Sequence, residues 1–475
     1  MTNTRILTTL GLGALVFTAA CSDKHYDILN TNAPTVEQLT GAPSKAILAR
    51  AALGAVAQIN ADLGGEISFY AIFGREGYNL LGNDPRLTQE MLRGPLEAGG
   101  FGGANFQGKF IALRTINTYL ASIDAAADMT AAEKAASKGF GQTLKAVLFH
   151  RLIVRNGSLG TPIRVDADLD AAPAPFVSQA NTYAYLVALL DSAKTNLLAG
   201  GSAFPFGTPP GFETANTPAN FLKFNRGLAA KVHVHRATLA NAGNSSYTAA
   251  LTALGESFVN SAGSLNDGAY YAFSEASGEP SNPITEGLAA QRFYVHPSIL
   301  SGAQLKGNGQ PDNRLTSKTA LAIGAGANRV TGGLTGTHKP TTYNTSAGDP
   351  DLGADVAIIR NEELILLRAE ANWFAGSKQS AIDDINTIRT RAGGLGPVSL
   401  TPASTNDQFV AALMYERLYS LLWEQGTRWV DARRFGKNAT LPIDRAGDVI
   451  FPNMLILAAE CDARGLAVPC TPPVQ

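Results

Sequence analysis

The stretch Asn361–Gly394, NEELILLRAEANWFAGSKQSAIDDINTIRTRAGG, decides the fold. Leu364, Leu367, Ala371 and Phe374 recur at helical spacing behind an acidic first turn of Glu362 and Glu363, which predicts a helix capped by Asn361 and ended by Gly376. Ser377 opens a second helix. There Ile382, Ile385 and Ile388 form a narrow apolar stripe, Arg389 and Arg391 load the last turn, and Gly393 with Gly394 supplies a left-handed stop. The pair is a tight helical hairpin. Beyond Pro397 and Pro402, Asn406 opens a third helix with Leu413, Leu418, Leu421 and Leu422, and a last turn from Thr427 to Phe435 carries Trp429, Asp431, Arg433 and Arg434. Helices this rich in Leu and Trp must bury a face, so Glu370, Glu416 and Glu424 are expected to form structural ion pairs with Arg389, Arg428 or Arg434.

The same pattern extends outward toward the N-terminus. Residues 104–123 and 131–155 read as an antiparallel pair in which Phe110, Leu113, Ile116 and Leu120 face Leu144, Val147, Leu148 and Leu152; 180–198 and 219–240 read as another. These look like TPR-type hairpins, although no strict 34-residue repeat is present. An earlier helix places Leu48, Ala52, Ala55 and Ile59 on one face, with Gly64 and Gly65 as its stop. The expected fold is therefore mainly α, a TPR-like helical hairpin core with long irregular loop insertions. The longest insertion, about 261–355, is rich in Gly, Ser, Asn, Thr and Pro, and its aromatic segments mark it as ordered.

Two segments offer candidate ligand-binding residues. In EISFYAIFGREGYNLLGNDPRLTQE (66–90), Phe69, Tyr70, Phe73, Tyr78 and Asn79 crowd among glycines, either as a ligand platform or as the buried edge of the first helix. In the insertion, Tyr270, Tyr271, Arg292, Phe293 and Tyr294 either stack on and hydrogen-bond a sugar or peptide, or pack the loops onto the core. No catalytic constellation or metal site is expected, and no cofactor. The run Gly103–Lys109 approaches a P-loop, but Phe110 stands where the magnesium-binding hydroxyl belongs. Asp166, Asp168 and Asp170 begin like a calcium loop, yet Ala171 replaces the turn glycine and Val177 the bidentate Glu. His233 and His235, two apart in a helix, point in different directions.

With 45% hydrophobic residues the 475-residue chain can bury a large core, and 38 basic against 39 acidic side chains exclude a nucleic-acid partner on charge grounds. Residues 1–20 read as a signal peptide: Arg5, then an apolar run closing in small residues before Cys21. Thr18-Ala19-Ala20-Cys21 fits a bacterial lipoprotein processing site, with Thr18 where that pattern usually carries Leu; ordinary cleavage leaving a free Cys21 is the other reading. Residues 21–40 would tether a single domain spanning 41–475. If Cys21 is acylated, Cys461 and Cys470 are the remaining thiols, and in an exported chain they are expected to form a disulfide.

Asn361–Gly394 together with MYERLYSLLWEQGTRWVDARRFGK (Met414–Lys437) resembles the C-terminal signature of the SusD/RagB family of outer-membrane nutrient-binding lipoproteins. The matching features are Ala369-Glu370-Ala371, Asn386 ahead of Arg389, Arg391-Ala392-Gly393, Glu416-Arg417, and Glu424 through Gly426 to Arg428 and Asp431. The resemblance implies a helical core, an early loop that contributes ligand contacts, and no enzymatic activity. It also implies capture of a glycan or oligopeptide at the bacterial cell surface, lipid-anchored to the outer membrane, and delivery to a TonB-dependent, SusC-like β-barrel. The competing reading is a lipid-anchored TPR-like scaffold that binds a protein partner.

Overall fold

The computed structural model describes residues 34–166 and 170–475. The signal segment, Cys21, most of the tether and Asp168 lie outside the described residues. Eleven helices of eight or more residues make the frame among the described residues: α1 (Lys45–Gln58), α2 (Leu63–Phe73), α3 (Gln107–Ser122), α4 (Ala131–Asn156), α5 (Gln179–Leu198), α6 (Pro218–Ala237), α7 (Gly243–Gly255), α8 (Asn361–Phe374), α9 (Lys378–Arg391), α10 (Asn406–Ser420) and α11 (Thr427–Arg434). From α3 to α9 each helix packs on the next, so the hairpins stack into a continuous helical array, and α10 and α11 close its end. Local chemistry sets the starts. Thr130 and Glu133 form a capping box on α4, and Thr405 and Gln408 form one on α10.

Three expectations are corrected. Gly64 and Gly65 do not stop a helix; they sit in the first turn of α2, where a Cβ on Gly64 would lie 2.6 Å from Pro283 Cγ. Close packing, not helix ending, selects this glycine. Asn361 is not a cap either, because Arg360 holds that position and Asn361 is buried. Its amide accepts from the Asn260 N–H at 2.8 Å and donates to the carbonyls of Asn260 and Ser264, which fastens the start of the insertion to α8. Arg428 pairs with none of the three glutamates: its guanidinium donates to the Arg75 carbonyl and its backbone N–H to Glu76.

The other ion pairs form, with additional partners. Glu370 takes both Arg417 and Arg434, Glu416 takes Arg314 and Arg389 at 2.7 and 3.0 Å, and Glu424 takes Arg360 and Lys318. All three glutamates are buried, so each needs these cations to offset desolvation. Apolar burial is equally dense. Trp373 stacks on Phe409 with ring centroids 4.3 Å apart, while Trp423 and Trp429 are fully enclosed.

The insertion contains little helix and no large sheet. Its strands are three or four residues long, and two of them pair outside the insertion: Phe293–Val295 with Gly77–Asn79, and Gly268–Tyr271 with Val356–Arg360. Side chains staple the rest to the C-terminal helices. Tyr343 Oη donates to the Trp423 carbonyl, Tyr419 Oη to the Ile299 carbonyl, and Arg314 Nη1 to Ser420 Oγ. At the far end a disulfide joins Cys461 and Cys470, whose Cα atoms are 5.7 Å apart, and Gln475 exchanges backbone hydrogen bonds with Phe176 and Ser178.

Candidate functional site

The two candidate segments, more than 200 residues apart in sequence, meet in the antiparallel ribbon Gly77–Asn79/Phe293–Val295, with Tyr78 opposite Tyr294. Most of their aromatic side chains point inward. Tyr70, Phe73, Tyr78, Tyr271, Phe293 and Tyr294 are at most 3% exposed, so in this conformation they support the site and do not touch a ligand. Tyr70 and Phe73 pack on Trp429 at 4.8 and 5.6 Å, and Phe293 on Trp423 at 5.2 Å. The short-range reason is that α2 has apolar residues on every side and must be surrounded. Tyr271 is covered by the Arg151 guanidinium, 5.4 Å from its ring.

Phe69, Asn79, Arg292 and Tyr270 remain partly exposed. Arg292 is the most constrained of them. Its guanidinium lies 4.1 Å from the Phe293 ring, donates to Glu286 Oε2 at 3.2 Å and to the Pro283 carbonyl, and still leaves the side chain 37% exposed. Glu286 in turn accepts from the Phe293 N–H at 2.7 Å and pairs with buried Lys339, whose ammonium sits 4.2 Å from the Tyr294 ring. Asn79 Oδ1 accepts from the Leu81 N–H, turning the chain so that the Leu80 carbonyl receives Arg329 and Thr331. The result is a rim of guanidinium and amide groups backed by buried rings.

Phe69 belongs to a second exposed cluster. It meets Phe101 edge to face at 5.5 Å, and Arg86, held by Asp84 at 2.8 Å, lies 4.9 Å from the Phe101 ring. Sequence reasoning missed Arg86, Phe101 and Arg329. Arg86 was visible in the 66–90 segment as the basic residue after Asp84-Pro85, but Phe101 and Arg329 carry no local signal. Tyr270 lies elsewhere, on a cleft between the Gly268–Tyr271 strand and the short helix Asn313–Lys318. Burial pushes its hydroxyl up to about 12.

Behind the rim a buried polar network links the early loop to the C-terminal helices. Glu76 accepts from the Trp423 and Arg428 N–H groups at 2.9 and 3.3 Å, and burial raises its carboxyl to about 7. His296 contacts Asp444 at 3.0 Å and the Tyr78 ring at 4.9 Å. Lys109, from the failed P-loop, is a buried partner of Glu66 at 2.7 Å. His235 contacts His150 at 3.1 Å, while His233 has no such partner ring. Among the described residues no group of three or more His, Cys, Asp or Glu side chains is placed to hold a metal ion.

The stacked array of helical hairpins with a loop-rich insertion reaching back to the first helices is a fold shared with solved SusD superfamily structures. Bacteroides fragilis NanU matches with a TM-score of 0.65 at 17% identity, covering 93% of this chain and 99% of that one. A SusD superfamily protein from Bacteroides vulgatus matches at 0.66 and 16%, covering 88% and 97%, and a laminarin-binding SusD-like protein at 0.60 and 16%, covering 88% and 98%. Residues 265–458 match the SusD family model, so this part of the chain is similar to that family in sequence and the chain as a whole is similar to it in fold. No curated protein matches the sequence.

Proposed function

We propose that this chain is a cell-surface lipoprotein of the outer membrane that captures a glycan and delivers it to a TonB-dependent, SusC-like β-barrel. The observation that carries the reading is the convergence of the early loop and the insertion into one rim, where Arg292 lies over the buried Phe293 ring and Asn79 is paired with Phe293 across the ribbon, within a SusD-like fold. Guanidinium and amide donors placed over rigid support suit hydroxyl-rich ligands, because little side-chain entropy is lost on binding. A glycan is favoured over an oligopeptide because one structurally similar protein binds laminarin. The lipid would attach at Cys21. Capture and hand-over require no catalytic group, so energy would come from the transporter.

The test is a glycan microarray probed with the full chain, followed by calorimetric titration of the oligosaccharide giving the strongest signal against wild type, Arg292→Ala and Phe69→Ala. Expected is micromolar binding, weakened at least tenfold by Arg292→Ala. A blank array, or unchanged affinity in both variants, contradicts the reading.

A further inference from the structure

The insertion also carries a cleft of about 510 Å³ whose lining includes neither Arg292 nor Asn79. Tyr270 forms one wall. Its partner across the ladder is Ala357, whose methyl group is too small to cover the ring, while alternation sends Tyr271 and Val356 into the core. The Tyr270 hydroxyl donates to the Asn266 carbonyl four residues back, so the ring's orientation is fixed before anything binds.

The floor is charged but balanced. Arg314, Lys318 and Arg360 line the cleft together with Asp355, Glu362 and Glu424. Arg360 pairs with both glutamates, Lys318 reaches Glu424 at 3.0 Å, and Arg314 is held by Asp312 at 2.6 Å. No surplus cation is left to draw a polyanion. Exposed Asn266, Ser317 and Asp355 contribute an amide, a hydroxyl and a carboxylate to the lining. A fixed aromatic wall, paired charges and small polar groups match a pyranose, whose C–H face stacks on a ring and whose hydroxyls both donate and accept.

We propose that this cleft is a second carbohydrate subsite, distinct from the Arg292 rim, which holds one neutral pyranose unit against Tyr270 with Asp355 and Asn266 receiving its hydroxyls. It rests on the glycan reading above and specifies it: the captured glycan is engaged at two places, and the cleft takes a neutral sugar.

The experiment is saturation-transfer NMR on the full chain with methyl β-glucoside, methyl β-galactoside and methyl α-mannoside, using glycerol as the reference polyol. Tyr270→Ala removes the wall, Ser317→Trp fills the cleft from an exposed position, and Lys194→Ala on α5 is the control. At least one glycoside is expected to exceed glycerol in wild type and Lys194→Ala, and to lose at least fivefold in both cleft variants. Transfer no greater than glycerol overturns the proposal, as does a wild-type signal in Ser317→Trp, which isolates a Tyr270→Ala loss as a folding effect. Titration of Arg292→Ala with the array-selected oligosaccharide reads the rim separately. Failure of the rim therefore leaves glycoside binding in the cleft intact, and failure of the cleft leaves the rim's affinity intact.

Discussion

The C-terminal block Asn361–Arg434 and the insertion 261–355 are both folded, but they are held by different kinds of contact. The block holds itself: Trp373 on Phe409, the isoleucine stripe of α9, and Glu370 between Arg417 and Arg434 are contacts within α8 to α11. The insertion has short ribbons and few helical turns, and many of its fixed points are groups on that block, including Glu416 for Arg314, the Trp423 carbonyl for Tyr343 and Asn361 for the 260–264 turn. Its order is borrowed. A loop region that presents ligand-binding groups need not have its own core if a rigid neighbour supplies buried polar partners.

Removing a shared partner separates the two regions most sharply. Glu416→Ala takes a buried carboxylate from Arg314, which keeps Asp312, and from half-buried Arg389, and is expected to cost about 3 kcal/mol. Hydrogen exchange should rise in 312–318 as well as in α9 and α10; protection unchanged in 312–318 would show that the insertion stands alone. Next comes the covalent tie of the C-terminal segment. Cys461→Ser with Cys470→Ser should cost roughly 2 to 3 kcal/mol in chemical denaturation, with exchange increasing at 474–475 and 176–178 where the chain end docks.

Acid probes a buried histidine pair in the helical array. His150 and His235 are held neutral, well below the ordinary imidazole range, by burial and by neighbouring Lys231 and Arg434. The unfolded chain takes up these protons below about pH 6.5 and the folded chain does not, so stability falls as pH drops through that value. Melting temperature measured from pH 7.5 to 5 should decline less steeply in His150→Gln/His235→Gln; an equal slope would exclude the pair as the cause. The smallest effect belongs to exposed Arg391, which donates to the carbonyls of Ser261 and Gly263. Arg391→Ala should cost about 1 kcal/mol or less, with faster exchange confined to 261–267.

The same contrast explains what the sequence disclosed. Helices α4, α8 and α9 were legible because their apolar residues repeat every three or four positions. Helix α7 was not, since it begins Gly-Asn-Ser-Ser, a run that reads as loop. The Gly77–Asn79/Phe293–Val295 pairing joins three residues to three across more than 200 positions, and no local periodicity encodes that. Burial was equally hidden. Tyr78 and Asn79 are neighbours in a glycine-rich stretch, yet strand alternation encloses one and leaves the other partly open. Arg360, expected nowhere, became the partner of Glu424 because those residues meet only after α8 and α10 pack.

The central claim, a capture protein that works on a transporter, is tested most directly by affinity purification of the tagged chain from mild-detergent extracts of its native outer membrane, with mass spectrometry of what accompanies it. A TonB-dependent β-barrel in stoichiometric amount is the predicted result. Recovery of the chain alone, or with a soluble periplasmic protein in place of a barrel, would contradict the claim and favour a lipid-anchored helical scaffold.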